Sequence, residues 1–136
     1  MRILLTEDDL AVRSFVSRAL EIDGHDVETA GDGVEAMECL ERHDGQFDLL
    51  VSDVKMPLMD GIALAHSAAE RWPGLPILLM TGFADQRERA DDLHKKIRDV
   101  VTKPFTLQQI RDAVTDAASP GDSSDPSEAP VPEGAA

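Results

Sequence analysis

Cysteine is almost missing from this chain: Cys39 is the only one, so no internal disulfide framework can form. A lone cysteine also fits a reducing compartment. No apolar run approaches the roughly 18 residues of a membrane span. Met1-Arg2-Ile3-Leu4-Leu5 leads straight into acids, unlike a signal peptide. Basic residues are scarce, 13 against 27 acidic ones, which leaves a net charge of −14. A chain this acidic is repelled by nucleic acid unless it holds a local basic patch. The only basic cluster, Arg87, Arg89, Lys95, Lys96 and Arg98, is interleaved with Asp85, Glu88, Asp91 and Asp92, and reads as a solvated helix face. The expectation is a soluble cytoplasmic protein with no membrane insertion and no direct contact with DNA.

What is present suits one folded domain: 136 residues, 42% of them apolar. The stretch that organises the chain is Leu49-Leu50-Val51-Ser52-Asp53, a short apolar run ending abruptly in an acid. Such a run reads as a strand buried on both faces whose last residue emerges at the rim of a sheet. Pro57 and the Met59-Asp60-Gly61 turn then forbid a continuing strand and aim the chain into a helix.

The same alternation recurs along the chain. Arg2 to Thr6 is a strand ending in Glu7-Asp8-Asp9, followed by a helix with Val12, Phe15, Val16, Ala19 and Leu20 on one face, stopped by Gly24. Val27 to Ala30 is the second strand. Asp32 with Glu35 opens a helix carrying Val34, Met37 and Leu40. Phe47 to Ser52 is the third strand, and Gly61 to Arg71 a helix with Ile62, Ala65, Ala68 and Ala69 inward. Ile77 to Met80 is the fourth strand, ending in Thr81-Gly82, and Gln86 to Lys96 is a weakly amphipathic helix. Val100 and Val101 form the fifth strand before Thr102-Lys103-Pro104. A capping box, Thr106 with Gln109, opens the last helix, carrying Leu107, Ile110, Val114 and Ala117.

Five strand–helix alternations imply right-handed crossovers and a doubly wound parallel sheet, an α/β fold with five strands and five helices. The folded domain is expected over residues 1–118. From Ser119 to Ala136 the composition turns to Pro, Ser, Asp, Glu, Gly and Ala, and an acidic disordered tail is expected.

In an open parallel sheet, function gathers at the carboxyl ends of the strands. There the sequence offers Asp8 and Asp9, Asp53, Thr81 and Lys103. Carboxylates this close repel by about 4 kcal/mol per pair at an effective dielectric near 20, so a cation or a proton is expected among them. Oxygen-only ligands with no histidine or cysteine nearby suit Mg2+ better than Zn2+. Lys103 and Thr81 add nothing to a bare metal site, but both make sense beside a phosphoryl group carried by Asp53 as nucleophile.

The motifs Glu7-Asp8-Asp9, Ser52-Asp53-Val54-Lys55-Met56-Pro57-Leu58-Met59-Asp60-Gly61, Thr81-Gly82-Phe83 and Lys103-Pro104-Phe105 resemble the receiver domain of bacterial two-component response regulators. The resemblance implies a flavodoxin-like (CheY-like) fold of strand order 2-1-3-4-5. It makes Asp53 the phospho-acceptor from a histidine kinase or a histidine phosphotransfer protein. Asp9 and Asp53 would bind Mg2+ directly with the Lys55 backbone carbonyl, Asp8 would act through water, and the Lys103-Pro104 bond would be cis. Val100 stands where receivers often carry the Tyr or Phe that moves with the threonine, so an aromatic switch paired to Thr81 is not expected.

With no effector module expected, output would pass through a protein partner. Ser17-Arg18-Ala19-Leu20-Glu21, Gly24-His25-Asp26-Val27 and Thr81-Gly82-Phe83-Ala84 are similar to CpdR-type single-domain regulators. That similarity implies an adaptor for a ClpXP-type protease, active when unphosphorylated; the alternative is a phosphoryl shuttle or phosphate sink. Three rivals fit less well. A haloacid dehalogenase-like phosphatase needs an acid where Lys55 stands, and a flavodoxin needs a phosphate loop where Glu7-Asp8-Asp9 stands. A pseudo-receiver would lack the acceptor or the lysine. The protein is therefore not expected to be an enzyme beyond self-catalysed phosphoryl transfer and autodephosphorylation. His25, His43, His66 and His94 show no ligand spacing, and Cys39 reads as core or flank.

Overall fold

The computed structural model describes residues 1–56, 58–82, 99–102 and 105–118. The expected helix at Gln86–Lys96, the Lys103-Pro104 bond and the tail from Ser119 lie outside the described residues. Five strands alternate with helices: β1 (Arg2–Thr6), α1 (Leu10–Ile22), β2 (Asp26–Ala30), α2 (Gly33–Arg42) and β3 (Leu49–Asp53) come first. Then follow α3 (Gly61–Arg71), β4 (Ile77–Thr81), β5 (Asp99–Thr102) and α4 (Leu107–Ala118). The sheet is parallel throughout, as the strand–helix alternation implies, with the order β2-β1-β3-β4-β5 that the resemblance to receivers implies.

Strand alternation divides the core into two layers. Leu4, Leu50, Ile77 and Leu79 face α2 and α3, where Ala36, Cys39, Leu40, Leu64, Ala65 and Ala68 cover them. Ile3, Leu5, Leu49, Val51, Leu78 and Met80 face α1 and α4, under Val16, Ala19, Leu20, Ile110, Val114 and Ala117. β3 and β4 are buried along their whole length, as their unbroken apolar runs require.

The helix ends follow from side-chain chemistry. Asp32 Oδ1 accepts from Glu35 N at 2.8 Å, while the Glu35 carboxylate accepts from Gly31 N at 2.8 Å rather than from the cap residue itself. At α4 the box is reciprocal: Thr106 Oγ1 accepts from Gln109 N at 3.0 Å, and Gln109 Oε1 from Thr106 N at 2.8 Å. Arg111 on α4 pairs with Asp23 at the C-cap of α1, its Nε donating at 2.9 Å, which ties the two helices of one layer together.

Three inward faces differ from expectation. Phe15 is 41% exposed instead of buried, because its ring lies against Phe105 (centroids 6.4 Å apart) at the surface. α2 buries Gly33, Ala36, Cys39 and Leu40, while Val34 is 40% exposed and Met37 only partly buried. The rotation follows from close approach: a Cβ on Gly33 would collide with the Met59 carbonyl, so α2 lies with its small residues pressed down. Leu107 is likewise partly exposed at the first turn of α4.

Candidate functional site

The carboxyl ends of β1, β3 and β4 sit side by side, because Thr6 is in register with Ser52 and Asp53 with Met80. What each strand delivers at that rim is therefore set by its last residue or the next. β3 delivers Asp53, 5% exposed; β1 delivers Glu7, 1% exposed, with Asp8 beside it in solvent; β4 delivers Thr81, fully buried. Carboxylate oxygens of Glu7, Asp8 and Asp53 all lie within 4.8 Å of one another.

Asp9 is not in that cluster. It is the N-cap of α1, and its Oδ1 accepts from Ala11 N at 2.9 Å and Val12 N at 3.2 Å. The acid pair facing Asp53 is therefore Glu7 and Asp8, not Asp8 and Asp9. The physical reason is the helix start: α1 begins at Leu10, so residue 9 must satisfy orphan amides of the first turn. Glu7 is held in turn, because Asp9 N donates to its Oε2 at 3.1 Å and its own N–H donates to Ala30 O at 3.1 Å. Arg13 reaches back from α1 to the Glu7 carbonyl at 3.1 Å. A preference for an acid immediately before a helix was the signal that could have reassigned Asp9 and pointed to Glu7.

Asp53 is fixed through its backbone. Ser52 Oγ donates to the Asp53 carbonyl at 2.9 Å, and Val54 N donates to Met80 O at 3.0 Å. Gly61 N donates to Val54 O at 2.8 Å, which folds the β3–α3 loop back on the strand end. α3 is capped by Asp60, whose Oδ1 accepts from Ala63 N at 2.9 Å. On that loop Lys55 is exposed, and Leu58 projects with 81% of its surface free and a left-handed φ of 70°.

Thr81 pairs in register with Thr102, the residue before Lys103. Lys103 and Pro104 lie outside the described residues, so Asp53, Asp8 and Thr81 are the expected site residues found at this rim. Val100 is partly buried against the layer under α2 and α3. An oxygen-only donor set of this kind fits a hard divalent cation such as Mg2+.

The response regulator receiver domain family matches residues 3–115. The chain belongs to that family. It is 40% identical over 110 residues to the response regulator MprA of Mycobacterium leprae, covering 81% of this chain and 47% of that protein. The chain thus spans about half the length of the curated relatives it matches. Among solved structures it is similar to a CheY-like receiver domain protein from Methanospirillum hungatei: TM-score 0.77, 26% identity, 86% of this chain and 92% of that one. It is also similar to the response regulator TrrA of Thermotoga maritima, solved in complex with Mg2+-BeF: TM-score 0.74, 25% identity, 85% of this chain and 97% of that one. Among the described residues of this receiver, no helix is long and apolar enough to cross a membrane.

Proposed function

We propose that Asp53 accepts a phosphoryl group from a histidine kinase or a histidine phosphotransfer protein, and that the change at the rim alters how a protein partner is bound. The observation that supports it is the nearly buried Asp53 carboxylate at the end of the central strand, grouped with Glu7 and Asp8 and flanked by the β4 that carries Thr81. In the transfer, an Asp53 carboxylate oxygen bonds to phosphorus as the phosphorus–nitrogen bond of a phosphohistidine breaks, its electron pair leaving on the imidazole.

Glu7, Asp8 and Asp53 would hold Mg2+, with the Lys55 carbonyl as a further oxygen ligand. When bound, the ion supplies positive charge against the carboxylates and the phosphoryl oxygens. The Thr81 hydroxyl would donate to one phosphoryl oxygen, and Lys103 would neutralise another. The protein is then a substrate and signal carrier rather than an enzyme with external turnover.

The finer reading of the output is a CpdR-type adaptor for a ClpXP-type protease, supported by the segments around Ser17–Glu21 and Thr81–Ala84. Phosphoryl shuttling is the alternative. The test of the acceptor is intact-mass spectrometry after incubation with acetyl phosphate, with and without Mg2+, on the wild type and Asp53→Asn. One Mg2+-dependent phosphoryl adduct, absent in the variant, is the expected result. An adduct retained in Asp53→Asn would reject Asp53. Phosphoryl-sensitive capture of a ClpX-type unfoldase would separate the adaptor from the shuttle.

A further inference from the structure

A second cluster of donors lies between the edge strand β2 and the helix α2 that packs against the sheet. Glu28 projects from the middle of β2, Cys39 lies on the last full turn of α2, and His43 caps that helix four residues later. An i, i+4 pair shares one helix face, so the thiol and the imidazole both face Glu28. Cys39 Sγ lies 3.3 Å from Glu28 Oε2, and His43 Nε2 lies 3.7 Å from Glu28 Oε1. All three donor atoms fall within 4.8 Å of one another.

We propose that Glu28, Cys39 and His43 form a three-ligand site for a borderline divalent ion of the Zn2+ class, separate from the oxygen-only rim. A tetrahedral Zn2+ with its usual bond lengths spaces its ligand atoms about 3.3–3.8 Å apart. The two distances fall on the two different oxygens of the Glu28 carboxylate, so a rotation of that carboxylate brings one oxygen toward both other donors, and the Cys39 thiol, which donates to Glu28 in the empty site, releases its proton to solvent as its sulfur binds the ion. One sulfur, one nitrogen and one oxygen donor select Zn2+ or Co2+ over Mg2+. The Cys39 thiol is buried, while the Glu28 and His43 side chains are 37% and 30% exposed, so the ion enters from the solvent side and water takes the fourth position.

Two guanidiniums oppose the ion. Arg2 lies 3.4 Å and Arg42 3.6 Å from the Glu28 carboxylate. Arg42 is 62% exposed and free to swing out, whereas Arg2 is also held by the Gln46 carbonyl and lies over the Phe47 ring. Arg42 therefore acts as the removable competitor, and the site binds more tightly without it.

The test is a Co2+ titration of the reduced full chain in excess Mg2+, which keeps the rim acids occupied. Cys39 is the only cysteine, so a thiolate-to-cobalt charge-transfer band can arise only here. The expected result is a band that saturates at one equivalent and is displaced by Zn2+. It should be lost in Cys39→Ser, weakened about tenfold or more in His43→Gln, and strengthened in Arg42→Ala. Thermal melts of each variant establish that it is folded. No band at millimolar Co2+ in the wild type overturns the proposal, and so does a band of unchanged affinity in folded His43→Gln.

Discussion

Gly61, the first residue of α3, is pressed against the backbone of Asp53: a Cβ built on it would collide with the Asp53 carbonyl oxygen. β3 and the helix that follows it are therefore in direct backbone contact, with no side chain between them. Gly61→Ala should cost about 1–3 kcal/mol, the usual penalty for overpacking, and should displace the Asp53 and Val54 amide resonances. Gly74 has open space around its Cα, so Gly74→Ala is the control, with no loss expected. Urea unfolding of both variants measures the difference. Equal stabilities would mean that the loop gives way without cost.

Thr6 is fully buried, and its hydroxyl finds no hydrogen-bond partner among the described residues. It stands at the end of β1 in register with Ser52, one residue short of the acid cluster. A buried unsatisfied hydroxyl carries a desolvation cost that its nearly isosteric apolar counterpart does not. Thr6→Val should therefore stabilise the fold by about 1 kcal/mol, visible as a higher urea midpoint at unchanged slope. Destabilisation would show that the hydroxyl is satisfied in solution.

How much of this was legible in the sequence varies with the physical signal. The bounds of α3 were readable, because Asp60 caps it and Trp72-Pro73-Gly74 ends it. Asp53 at a strand end was readable because four apolar or small residues precede an acid in a doubly buried strand. The run Glu7-Asp8-Asp9 was not resolved, since three successive acids look alike until the helix start is fixed to one residue. Cap chemistry claims Asp9 and leaves Glu7 to continue the strand. The inward face of α2 was misread for a related reason: Val34 and Met37 are larger than Ala36 and Cys39, but close approach at Gly33 selects the small residues. The Glu28–Cys39–His43 group was hidden because its third member lies on another element.

The Asp23–Arg111 pair gives a pH dependence whose sign can be worked out. The hydrogen bond from Arg111, aided by its charge, holds the Asp23 carboxyl below its ordinary value of 3.8. A depressed folded-state value means the native protein binds fewer protons than the unfolded chain near that pH. The pair's contribution is thus fully present above pH 3.8 and disappears as pH falls below it. Arg111→Gln should lower stability at pH 7, and the gap to wild type should narrow as pH falls below 3.8. Because both groups sit at the surface, added salt should also narrow the gap. A gap independent of pH would assign the loss to packing instead.

The three carboxylates at the rim make metal-free stability a readout of the site. The carboxylate oxygens lie within 4.8 Å of one another, and two unit charges at that limit repel by about 3–4 kcal/mol at an effective dielectric near 20. Asp8 is exposed, which reduces its share. In EDTA, Asp8→Asn should therefore be more stable than wild type, by about 1 kcal/mol after discounting for solvent screening. Mg2+ reverses the order: a ligand at 100 times its dissociation constant adds about 2.7 kcal/mol. The wild type gains this at a lower Mg2+ concentration than the variant, which lacks one ligand charge. Asp9→Asn, at the helix cap, should leave the Mg2+ midpoint unchanged, since Asn caps a helix as well as Asp does. Melting curves over a Mg2+ series for the three proteins decide the assignment. A midpoint that moves in Asp9→Asn and stays fixed in Asp8→Asn would return Asp9 to the metal site.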